Sequence, residues 1–154
     1  MAMMMRGEVA LPVARPTVWA KLNDPVTLKN CVGLIESMEQ TGADSFAFLV
    51  RAKVGPIKVA FRGRIVLSDV APLLSYRINA QGEGGFAGHA GGHADVVLSD
   101  LPGLPGQPER TLLAYAVELD LGGRLAKLGA RVMDGVAQRA ADRFFAGFTR
   151  ECLR

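Results

Sequence analysis

The chain has 154 residues, 49 % of them apolar and 21 % charged, enough to bury one core without disulfide or metal support and too apolar for disorder. No stretch reaches the roughly 18 uncharged apolar residues of a spanning helix, Met1 to Arg6 is shorter than a signal-peptide core, and Cys31 and Cys152 form no Cys-x-x-Cys pair, so one cytoplasmic domain over residues 1–154 with reduced thiols is expected. The net charge of +3 sits at the end, where residues 122–154 carry seven Arg or Lys against Asp134, Asp142 and Glu151; with no exposed aromatics interleaved among these cations, a solvated helix face is expected and a nucleic-acid partner is not.

Arg6 to Leu11 reads as a strand, closed by Pro12 and followed by a helical stretch around Thr17 to Leu22. Asn23-Asp24-Pro25 is a helix start, with Asp24 as cap and Pro25 in the first turn, and predicts a second short helix to about Asn30. From Val32 to Asp120 the period changes to two. Turn signals at Thr41 to Asp44, Gly55-Pro56, Asp69 to Pro72, Gly84-Gly85 and Leu101 to Pro108 divide this span into about six strands.

Within those strands one face is apolar. Phe46, Phe48 and Val50 alternate with Arg51 and Lys53, and Val59, Phe61, Gly63 and Ile65 alternate with Lys58, Arg62 and Arg64. Tyr76 and Ile78, then Tyr115 and Val117, continue the same face. Its cover is expected from Gly122 to about Thr149, a proline-free span with Leu125, Leu128, Val132 and Val136 at helical spacing, about 40 Å long at 1.5 Å per residue. The expected fold class is α+β: a curved antiparallel sheet of about seven strands around one long C-terminal helix, with two short helices after the first strand. These sheet and helix positions, with Phe86 from the glycine-rich segment, form the expected ligand-facing surface.

Several features invite chemistry. His89 and His93 stand four residues apart, but on a strand that is about 13 Å, too far to share one metal ion. Gly82-x-Gly84-Gly85-x-x-Gly88 is followed by alternation rather than by a helix that could face a phosphate, so it is expected to serve a bend or a rim. The inward register holds no acid, base or nucleophile besides Tyr76 and Tyr115, so no catalysis, no metal and no cofactor are expected. Trp19 is expected to pack between helix and sheet. Phe144, Phe145 and Phe148 beside Arg143, Arg150 and Arg154 could form an interfacial patch for anionic lipid.

The order of elements resembles the helix-grip fold of the START-like (SRPBCC) superfamily. Ala52-Lys53-Val54-Gly55-Pro56-Ile57-Lys58-Val59-Ala60-Phe61-Arg62-Gly63 resembles the signature hairpin of the CoxG family, the G-type subunits of carbon monoxide dehydrogenase. Val18 to Pro25, Gly82 to Gly88 and Gly122 to Arg131 resemble the same family, whereas Cys31-Val32-Gly33 stands where its members usually read Ile-Pro-Gly. The resemblance implies a non-catalytic accessory to a molybdenum-containing CO dehydrogenase or related hydroxylase, handling an apolar small molecule such as a quinone. It also implies a place at the inner face of the cytoplasmic membrane. Without the hydrophobic C-terminal anchor of some members, that contact is expected to be reversible. The readings set against it are a START-like cyclase or hydrolase acting on a hydrophobic small molecule, and an adaptor that holds no ligand.

Overall fold

Pro12 has no N–H to give to a sheet ladder, and in the computed structural model the first strand, β1 (Ala2–Leu11), ends one residue before it. The structure describes residues 1–32, 35–54, 56–102, 105–106 and 109–154. Gly33, Gly55 and Pro108, which belong to the family-like stretches and the expected turns, lie outside the described residues. β1 begins four residues earlier than the alternation suggests. The methionine run pairs with the last strand, Met3 opposite Leu119 and Met5 opposite Val117, and the Leu121 amide donates to the Met1 carbonyl at 2.8 Å.

Two short helices follow. α1 (Arg15–Leu22) has a proline in its first turn, and α2 (Pro25–Cys31) is capped as the sequence predicts. The Asp24 carboxylate accepts from the Val26 amide at 3.2 Å and from the Thr27 hydroxyl at 2.8 Å, satisfying donors that the first turn leaves open.

The meander is β2 (Ile35–Gly42), β3 (Ser45–Val54), β4 (Ile57–Ala71), β5 (Ser75–Glu83), β6 (His89–Leu101) and β7 (Arg110–Gly122). Together with β1 it forms a seven-stranded antiparallel sheet in the order β1-β7-β6-β5-β4-β3-β2. The helix-grip architecture is therefore present. A 3₁₀ turn, Gly85–Ala87, joins β5 to β6.

The C-terminal helix differs from the expectation in where it starts. β7 runs on to Gly122, a short α3 (Arg124–Lys127) follows, and the long helix is α4 (Ala130–Cys152), 23 residues or about 34 Å. Gly123 and Gly129, at φ +69° and +87°, turn the chain on either side of α3. The turn at Gly129 breaks the phase of the leucine seam. Met133 is buried, whereas Val132 swings outward and is 43 % exposed.

α4 packs against α2 and β1. The closest approach is at Gly147, where a Cβ would stand 3.1 Å from the Cys31 backbone. Among the described residues no helix is long and apolar enough to cross a membrane.

Candidate functional site

The register places ten of the predicted positions on one concave face. Phe46 pairs with Ile65 and Val50 with Phe61 across β3–β4; Tyr76 and Tyr115 both stand opposite Val96, and Ile78 and Val117 both opposite Ala94. Phe48 and Val59 share their strands' phase. The apolar side chains of this face collect at its two ends.

One cluster joins Tyr76 to Leu11, Val18, Leu98, Leu113 and Phe148, with Ile78 and Tyr115 packed on it. The other joins Val59 to Met3, Leu121, Leu125 and Met133, with Phe61, Leu128 and Val136 against it. Phe46, Phe48, Val50, Ile65 and Val117 belong to neither.

The reason lies in residues that the alternation of large side chains did not single out. On β4–β6 the inward positions between the clusters are Gly63, Ala80, Gly82, Ala90, Gly92 and Ala94, which face one another across the ladder. A floor of glycine and alanine sends no side chain toward α4. Phe48 lies across Gly63 and Gly82, with its ring tip 3.5 Å from where a Gly82 Cβ would stand. Phe48, Val50, Ile65 and Val117 remain only half-buried although they face inward. The signal for this floor was present as period-two small residues in β5 and β6, but glycine and alanine mark neither face in a hydropathy pattern.

Both tyrosines are held by aromatic contacts. Trp19 meets Tyr76 edge-on at 5.3 Å and 76°, the helix-to-sheet packing expected of it, and Tyr115 stacks on Phe145 at 5.3 Å. Burial raises the Tyr76 phenol well above its ordinary value. The Tyr115 ring occupies the space over Gly7, where any Cβ would overlap it.

Two predicted residues are not brought to this surface. The 3₁₀ turn buries Ala87 and leaves Phe86 92 % exposed, and Val132 faces outward because the chain turns at Gly129. The C-terminal aromatic turn is likewise not an exposed patch. Phe148 is fully buried, Phe144 stacks on it at 5.6 Å, and Phe145 meets Phe144 edge-on.

The polar candidates lie on the opposite, solvent face. Asp95 takes a bidentate contact from Arg77, at 2.7 and 2.9 Å, which holds its carboxyl below the usual range. His93 stands 3.6 Å from Glu118, and the His89 ring covers Gly122. Among the described residues no group of three His, Cys, Asp or Glu could hold a metal ion. An open groove of about 860 Å³ on this face, between Arg62, Arg64, Gln81, Glu83 and His89, is mixed in charge and offers little to an apolar ligand.

Fold and concave surface together define a START-like helix-grip protein of the ligand-binding kind. The chain belongs to the CoxG family, the G-type subunits of carbon monoxide dehydrogenase, whose model matches residues 7–152. Similar solved structures include a conserved protein from Geobacillus kaustophilus, 27 % identical with TM-score 0.87 over 98 % of this chain and 95 % of that one. The Zhui aromatase/cyclase from Streptomyces sp. R1128 is 14 % identical, with TM-score 0.72 over 100 % and 95 % of the two chains. A START superfamily protein from Mycobacterium smegmatis is 10 % identical, with TM-score 0.71 over 97 % and 96 %. Among curated proteins there is no significant match.

Proposed function

We propose that this protein is a non-catalytic carrier of an apolar small molecule, specifically a quinone, that serves a molybdenum-containing enzyme of the carbon monoxide dehydrogenase kind and meets the cytoplasmic membrane reversibly. The observation that carries the reading is the chemistry of the concave face. Its central rows are aromatic, aliphatic or too small to fill the space beneath α4, and Tyr76 and Tyr115 are their only titratable groups among the described residues. General acid–base work near neutral pH needs a group that titrates there, and burial moves Tyr76 the other way. Flat apolar walls with one or two hydroxyls suit a ring system bearing a carbonyl. Support for the partner enzyme is family membership alone.

The test is organic extraction of the purified protein followed by mass spectrometry for an isoprenoid quinone. Titration with a soluble short-chain quinone would then be followed through Trp19 fluorescence and the melting temperature. A bound quinone should quench Trp19, which touches Tyr76, and raise the melting temperature by mass action. Absence of quinone from the extract, with neither signal moving on titration, would sink the carrier reading.

A further inference from the structure

We infer that the end of the molecule carrying Phe86 is the surface by which the protein docks onto an anionic lipid bilayer. This inference rests on the membrane contact proposed above and gives it a place.

An aromatic side chain 92 % exposed is out of keeping with the rest of this chain, whose other phenylalanines are all buried or half-buried. The exposure is built in. The amides of Gly84, Ala87 and Gly88 donate to Gly88, Gly84 and Gly85 carbonyls at 2.8, 3.1 and 3.1 Å, and Ala87 is buried against the cluster of Val59, Leu125 and Met133. The turn is pinned from below and holds Phe86 outward.

That cluster also fixes the neighbours. The turn contacts β4 and α3, so the same end presents Arg124 and Lys127 of α3, Arg131 and half-exposed Val132 of the first turn of α4, and Lys53 opposite Lys58 at the end of the β3–β4 hairpin. Among the described residues none of these five cations forms an ion pair. The nearby carboxylates are Glu83, opposite Arg62, and Asp134, one turn beyond Arg131.

One outward aromatic ringed by long cations suits a bilayer interface, where the ring enters the acyl boundary and Lys and Arg reach the headgroup phosphates. A stable protein contact would ask for roughly 1,000 Å² of complementary surface, far more than one phenylalanine and one valine supply. Half-buried Phe61, Leu128 and Val136 stand in the same cluster behind Phe86, so docking here would bring the concave face toward the lipid.

The test is co-sedimentation with vesicles of phosphatidylcholine alone and of phosphatidylcholine mixed equally with phosphatidylglycerol. Wild type should bind the mixed vesicles and lose binding at high salt. Phe86→Ser should weaken binding by about tenfold at an unchanged melting temperature. Arg124→Glu with Lys127→Glu should abolish the preference for phosphatidylglycerol, whereas Arg143→Glu with Arg150→Glu at the far end of α4 should leave it intact. Vesicle binding that is absent, or equal in wild type and Phe86→Ser, overturns the inference. Quinone binding, read separately by Trp19 fluorescence, tells the two proposals apart: if it persists without vesicle binding, only the docking surface fails, and if vesicle binding persists without it, only the carrier reading fails.

Discussion

Cys31 shows how far a single residue's surroundings set its chemistry. It ends α2 beneath Gly147 of α4, and burial, with the Glu151 charge adding to it, pushes its thiol up to about 11 from 9.0. Burial raises Cys152 as well. A raised thiol pKa means that the folded state keeps its proton where the unfolded state loses it. The resulting stability is complete below about pH 9 and is lost as pH rises toward about 11. The prediction is that the urea midpoint of wild type falls across this window more steeply than that of Cys31→Ala. The variant should start lower because of the cavity it creates, yet show the shallower slope. Equal slopes would mean that the thiol is not desolvated as described. The same burial predicts little thiolate at neutral pH, in keeping with structural cysteines rather than reactive ones.

At the scale of elements, α4 carries two glycines that the sequence does not distinguish and the structure does. Gly147 stands where a Cβ would meet the Cys31 backbone at 3.1 Å, whereas Gly135 has only the mobile guanidinium of Arg139 nearby, at 3.3 Å. Glycine costs a helix interior about 1 kcal/mol relative to alanine, so Gly135→Ala should stabilise by up to that amount. Gly147→Leu should destabilise by about 1–3 kcal/mol or more, because neither backbone can withdraw. Chemical denaturation of the two variants checks both signs. Elements whose signals are local were the legible ones: the Asp24 cap, the alternation of β3 and β4, and the paired positions of the concave face. What the pattern could not carry was phase across a glycine. The break at Gly129 rotated Val132 out of the seam that its spacing suggested, and the 3₁₀ turn at Gly85 turned Phe86 outward. The C-terminal phenylalanines misled for a related reason. Their arginine neighbours suggested an exposed face, but the packing of α4 against α2 and β1 buries that turn.

For the whole molecule the decisive feature is what the grip leaves unfilled. A sheet and a helix held together at their two ends need not touch in the middle, and here the facing inward positions of β4–β6 are glycine and alanine. A fold evolved for core density alone would place large side chains there, since each missing methylene forfeits burial and leaves a void. Ala94 lies between Ile78 and Val117 in the central row and is itself half-buried. Ala94→Phe should therefore fill open space instead of overpacking a core. The expected outcome is a folded protein whose melting temperature is unchanged or raised, with affinity for a short-chain quinone reduced by at least about tenfold, since the introduced ring takes the ligand's place. If the middle of the grip were already packed, the same substitution would cost about 1–3 kcal/mol and lower the melting temperature. The ratio of the two effects thus measures whether the helix grips its own sheet or a guest.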